Sequence, residues 1–291
     1  MAIHDPIILS FNRDDGETFL YIGGTNTTWG VVSIMGLEFP EPEIFTTPKG
    51  LGEGFFVTGK RLNGRTLEIH LRPRVRYINQ LMTARTEAMT FFRPGHVFTI
   101  NIQAYDNIRE GRPPTREARL ANAELAAVSY PVLQEQGGKE DLVLQFIAPE
   151  PYFEALTESE FEYTTTLETF SSRTFTYSGE GIVPFMISAE VISGTPTDLI
   201  ALTFRQAGSG SESFQFEKAD GSNFVVGDTM ALNTDTNRFE INGTVAPVEA
   251  AALAAIVNHW KVKPGTNAFG GNGYSTILKI TLAYRGRRFA L

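Results

Sequence analysis

Asp141-Leu-Val-Leu-Gln-Phe-Ile-Ala-Pro-Glu-Pro-Tyr-Phe-Glu-Ala155 decides how the chain is divided. Leu142, Leu144, Phe146 and Ala148 fall on one face at period two, which is the pattern of a half-buried strand. Pro149 and Pro151 have no N–H to give to a ladder, so the strand must stop there. A new alternating run starts only near Phe161. The boundary therefore falls close to residue 153, giving domains 1–153 and 154–291. A chain of 291 residues is long enough for two separate cores.

Working back from the boundary, the first domain reads as strands with one helix. Ile7 to Phe11 and Phe19 to Ile22 flank the turn signal Asp14-Asp15-Gly16. Phe55 to Leu62 and Thr66 to Leu71 flank Asn63-Gly64, which predicts a second hairpin. Val75, Ile78, Met82, Met89 and Phe92 recur at helical spacing between Pro73 and Pro94-Gly95, predicting one helix with these residues on one face. Phe98, Ile100, Ile102 and Ala104 then alternate as a strand. Downstream of the boundary, short alternating segments are separated by Gly208-Ser-Gly210, Asp220-Gly221, Asn242-Gly243 and Gly270-Gly271-Asn272-Gly273. That cadence predicts a β-sandwich. Pro247 to Val257 reads as one short helix.

The composition supplies core material, 42% hydrophobic and 11% aromatic, so disorder is not expected. Cysteine is absent, which removes disulfides, thiolate metal sites and cysteine nucleophiles. The net charge of −8 is spread over both halves and argues against a nucleic-acid footprint. Lys60, Arg61, Arg65, Arg72, Arg74 and Arg76 gather locally and read as a solvated or subunit-facing sheet surface. No apolar run has the length of a membrane span, and the first residues lack the pattern of a signal peptide, so membrane insertion and secretion are not expected.

Catalytic chemistry finds little support. His4, His70, His96 and His259 are scattered singly without metal-ligand spacing, so no metal and no cofactor is expected. The glycines of Gly50-Leu-Gly52-Glu-Gly54 lack a phosphate-loop pattern and read as turns. The chain is expected not to be an enzyme. Two features hold functional interest. The stretch Asp106 to Glu117 lacks periodicity and carries a Pro-Pro pair among opposite charges, which predicts a loop. Arg109, Arg112, Pro113, Pro114 and Arg116 in it suit a contact between subunits or between rings, because arginine forks pair with carboxylates and prolines lower the ordering cost. Trp260 is a candidate for stacking on a sugar, although its place at a strand entrance favours the core. The alternative functional reading, a carbohydrate-binding β-sandwich adhesion module, rests on that residue.

The run Ala148-Pro-Glu-Pro-Tyr152 resembles the Ala-Pro-Asp-Pro-Tyr signature that closes the first domain of phage distal tail proteins, with Glu150 in place of the more usual Asp. Gly227-Asp228-Thr229, followed by Trp260-Lys-Val-Lys-Pro-Gly-Thr-Asn267 ahead of a last strand, resembles the ending of the same family. The resemblance implies a tail-tube-like β-barrel or sandwich with one α-helix at the N-terminus and a galectin-like β-sandwich at the C-terminus. It further implies a homo-hexameric ring joining the tail tube protein to the tip or baseplate hub and the receptor-binding proteins of a long non-contractile tail. DNA would pass through such a ring without being bound specifically. The location implied is the virion tail tip, after assembly in the host cytoplasm.

Overall fold

A computed structural model of the protein describes residues 7–22, 28–38, 42–48, 55–75, 77–105, 114, 116–130, 141–166, 171–218, 220–245 and 260–290. The chain is mainly β and divides into two compact units, Met1–Leu156 together with Arg288–Leu291, and Thr157–Arg287. The return of the last residues to the first unit has no signal in the sequence.

The first unit contains β1 (Ile7–Arg13), β2 (Thr18–Ile22), β3 (Trp29–Met35), β4 (Pro42–Pro48), β5 (Phe55–Leu62), β6 (Arg65–Pro73), α1 (Ile78–Phe91), β7 (Val97–Ala104), β8 (Arg116–Ser129), β9 (Leu142–Ala148) and β10 (Phe153–Glu154). Its main sheet runs β2-β1-β7-β8-β9-β6-β3, with β10 beside β8. Alternation places Leu67, Ile69, Leu71, Phe98, Ile100, Ile102, Leu142, Leu144 and Phe146 on the buried side, as expected where one face of a sheet covers a core. Phe11, Phe91, Phe92, Phe98 and Phe146 pack edge-on and offset around each other at 5.0–6.4 Å between centroids. Burying each ring contributes roughly 1.5–3 kcal/mol.

Two predicted details fail, each for a physical reason. Asn63-Gly64 is not a hairpin turn. β5 pairs with β4 in a separate two-stranded sheet, while β6 pairs with β3 and β9. A tight turn of that kind needs positive φ at both positions, and neither residue has it. Gly64 serves close approach instead: a Cβ there would lie 2.5 Å from the Ala148 carbonyl oxygen. The helix forms where expected but buries Leu81, Ala84, Ala88 and Phe91, leaving Ile78, Met82 and Met89 exposed. Ala84 and Ala88 are small enough to bring the helix backbone against the core, which the larger residues could not do.

The second unit contains β11 (Ser159–Thr164), β12 (Ser171–Tyr177), β13 (Phe185–Gly194), β14 (Ile200–Arg205), β15 (Ser211–Phe216), β16 (Thr229–Asn233), β17 (Arg238–Ile241), β18 (Thr244–Val245), β19 (Gly265–Asn272) and β20 (Thr276–Tyr284); β21 (Arg287–Arg288) follows and pairs with β10 in the first sheet. One sheet runs β11-β20-β13-β16-β17-β18 and the other β12-β19-β14-β15. They share one core, so this unit is the sandwich that the turn cadence predicts. Phe185 meets Phe204 at 4.4 Å and Phe239 stacks on Phe216 at 4.3 Å, each pair joining the two sheets. Gly270-Gly271-Asn272 is not a turn: it is the end of β19, paired with both β12 and β14. A Cβ on Gly271 would stand 2.6 Å from the Ala201 carbonyl oxygen, so glycine is demanded by close strand packing. The helix expected over Pro247 to Val257 lies outside the described residues, as does Gly50 to Gly54.

Candidate functional site

The two described histidines sit apart, each against one carboxylate. His70 Nε2 lies 2.7 Å from Glu68 Oε1, and His96 Nδ1 lies 2.9 Å from Asp14 Oδ1. The His96 hydrogen bond lowers the Asp14 pKa below the usual carboxylate range. Among the described residues no three potential metal ligands cluster. His4 and His259 lie outside the described residues. Substituting His70 or His96 with alanine is expected to change stability by about 0.5 kcal/mol or less, since solvent screens such pairs. A thermal melt checks this, and a shift of many degrees would contradict it.

Of the residues expected to form a contact loop, Arg109, Arg112 and Pro113 lie outside the described residues. Pro114 is half-buried. Arg116 is not in a loop: it opens β8 opposite Ala104 of β7, so the connection is shorter than its composition suggests. Trp260 is 2% exposed and packs 5.9 Å from Phe204 inside the sandwich core. No face of its indole is open to a sugar, which removes it as a stacking platform.

The segments that resemble the distal tail family turn out to be buried polar junctions. At the domain boundary, Pro151 offers its carbonyl to Arg65, whose Nε and Nη2 donate at 2.9 and 2.8 Å. The same guanidinium donates to the carbonyls of Glu38, at 2.8 Å, Gly36 and Phe289. It lies 4.2 Å above the Phe153 ring, and Tyr152 packs 4.9 Å from Phe289. Arg65 is 3% exposed, and burial lowers its pKa to about 10, so it stays charged at neutral pH. The expected sheet-surface position for Arg65 is therefore wrong. A planar fork can spread its charge over several carbonyl dipoles, and sequence does not show where those carbonyls will be.

In the second unit, Asn267 is fully buried and saturates its amide. Oδ1 accepts from the Ala207 and Lys263 N–H groups at 3.1 and 3.3 Å, and Nδ2 donates to the Lys263 and Gly265 carbonyls at 2.8 and 3.0 Å. Asp228 does similar work in the loop before β16. It accepts from Lys218 Nζ, the Val225 N–H and Asn242 Nδ2, each at 2.7 Å. Gly227, at φ 94°, admits the turn into it. Burial pushes the Asp228 pKa up, but these donors outweigh it and the pKa lies below the ordinary value.

Outward on α1, Thr83, Thr86 and Thr90 return their hydroxyls to the carbonyls one turn back. One flank of the same helix carries Ile78, Met82 and Met89 in the open, with Arg85 between them.

No protein-family model matches the chain, and no curated protein matches it. Among solved structures it is similar to the Dit (gp 19.1) protein of phage SPP1, which is described as a paradigm of the hub adsorption apparatus in Gram-positive infecting phages. The identity is 12% and the TM-score 0.65, over 96% of this chain and 98% of that one. A chain of the phage P2 baseplate, in its activated conformation with Ca, matches at 8% identity and a TM-score of 0.49, over 98% of this chain and 99% of that one. The chain thus shares the fold of the SPP1 Dit protein through both of its units.

Proposed function

We propose that this chain is a structural distal tail protein, a ring-forming component between the tail tube and the tip or baseplate of a long non-contractile phage tail. The observation that carries the reading is the likeness to SPP1 Dit, which spans both units in order. Fold alone does not assign function, and the sequence adds weight: the three segments that resemble the family are the junctions that hold each unit together. In this reading the ring is a homo-hexamer, its N-terminal unit is tail-tube-like and its C-terminal unit galectin-like. Its partners are the tube protein, the tip hub and the receptor-binding proteins, and DNA only passes through. The acidic balance suits that passage, since a ring of chains each at −8 repels phosphate rather than collecting it. The chain performs no catalysis and resides at the virion tail tip after assembly in the host cytoplasm.

Negative-stain images of the purified chain test this: flat rings with a central hole are expected, and a monomer at every concentration would overturn it. The stretch from Asp106 to Glu117 remains the proposed contact between rings or subunits through Arg109, Arg112, Pro113, Pro114 and Arg116. Replacing residues 108–115 with a short Gly-Ser link should leave the monomer melting curve unchanged and block incorporation into tails. Infectious particles carrying the shortened segment would refute that role.

A further inference from the structure

Helix α1 has three sectors. Leu81, Ala84, Ala88 and Phe91 are buried; Asn79, Thr83, Thr86 and Thr90 face outward and are polar. The third, at spacing i, i+4, i+7, i+11, holds Ile78, Met82, Arg85 and Met89 along one narrow flank. Ile78 is 69% exposed, Met82 44% and Met89 45%. The opposite flank, with Gln80 and Glu87, is polar, so the apolar sector is one-sided. Arg85 is half-buried among these residues, and its Nε is shielded from solvent without an acceptor. Arg85 places a cation in this apolar flank, and a carboxylate brought from outside can pair with the part of the side chain that solvent reaches.

A matching surface exists on the same unit. Glu124 of β8 stands directly opposite Ile147 of β9 in the ladder, so their side chains are neighbours on one face. Glu124 is exposed, Ile147 is 48% exposed, and Ala126 and Ala127 beside them are also exposed. Glu124 has no ion pair among the described residues. Along both strands these positions alternate with buried Leu125 and Phe146, so Glu124 and Ile147 leave the sheet on its outer face. The helix docks on the other side, where Phe91 meets Phe98 and Phe92 meets Phe146. Arg85 and Glu124 therefore cannot satisfy each other within one copy.

We infer that the flank Ile78-Met82-Arg85-Met89 of one copy packs on the Glu124-Ile147 patch of the next, with Arg85 paired to Glu124. The occupant is a second copy of this chain, chosen by charge complementarity between two groups that have no ion pair among the described residues, each set in apolar surroundings. Two different patches meeting head to tail make a heterologous contact, the kind that closes into a ring when the rotation fits. The inference rests on the ring-forming reading and says which surfaces would build the ring.

The test uses charge reversal in the full chain, read by light scattering and negative stain. Arg85→Glu and Glu124→Arg should each raise the concentration needed for assembly at least tenfold while leaving the near-UV spectrum and melting temperature of the monomer intact. Combining them should restore assembly. Because the chain has no cysteine, Met82→Cys with Ile147→Cys in one chain gives a clean second measurement, a ladder of covalent oligomers on oxidation. Rings that form normally with either single reversal overturn this contact and leave the ring reading standing. The same holds if such rings form but fail to enter tails, in which case the flank faces another tail protein. A wild-type chain that never forms rings overturns the ring reading, and absence of the disulfide ladder at high concentration then overturns the contact as well.

Discussion

Arg65→Ala is expected to cost the first unit about 4 kcal/mol, the range seen when a buried charged hydrogen-bonding centre is removed. The side chain serves the carbonyls of Pro151, Gly36, Glu38 and Phe289 together. Truncation takes these donors away from all four carbonyls, of which that of Pro151 is buried, and it also removes the cation over Phe153. Lysine is the informative control. It restores the charge but presents a point ammonium that cannot reach the Pro151 carbonyl with two N–H groups while holding the others, so about half the loss should remain. Urea unfolding of the full chain, followed by near-UV signal from the first unit's aromatics, reads the effect. An alanine variant within about 1 kcal/mol of the wild type would show that water replaces the guanidinium without cost and that the junction is not held by it.

The resemblance segment at the boundary acquires a physical meaning from this residue. Two prolines end β9, and Arg65 collects the carbonyl of the second, Pro151. The strand that ends at Ala148 and its closing prolines were legible because alternation and the missing N–H act locally. Arg65 was not, because its partners come from positions 36, 38, 151 and 289, and no local pattern brings them together. The same division runs through the rest of the fold. The β1–β2 hairpin was readable from Asp14-Asp15-Gly16, where Gly16 takes φ 88°. Asn63-Gly64 and Gly270-Gly271 misled, since glycine there answers a neighbouring backbone rather than a turn.

Helix α1 shows how one pattern can be read for the wrong partner. Ile78, Met82 and Met89 mark a face at helical spacing, and that face is on the surface, while Leu81 and Phe91 are buried on another. The buried face relies on Ala84 and Ala88, whose small side chains carry little hydrophobic signal but permit close approach. Periodicity establishes that an apolar stripe exists, not whether its own chain covers it. Trp260 is the converse case. An aromatic at a strand entrance suits a sugar as well as a core, and only the closing of the sandwich over it, against Phe204, separates the two.

Asp228→Ala is expected to destabilise the second unit by about 3 kcal/mol, because Lys218 would remain largely buried without its carboxylate. The Lys218 and Asp228 side chains are only 15% and 9% exposed. The Val225 N–H and the Asn242 amide would also lose their acceptor. Asp228→Asn keeps one oxygen for the Val225 N–H but not the charge, and should cost less. The pH dependence has a definite sign. The folded-state pKa of Asp228 is depressed, so its contribution is fully present above the unfolded carboxylate value and is lost as pH falls through the folded one. Acidification from pH 6 toward pH 3 should therefore lower the melting temperature of the wild-type second unit more than that of Asp228→Asn, whose amide does not titrate. Equal acid sensitivity in the two proteins would show that other carboxylates set the response and that Asp228 is held by packing alone.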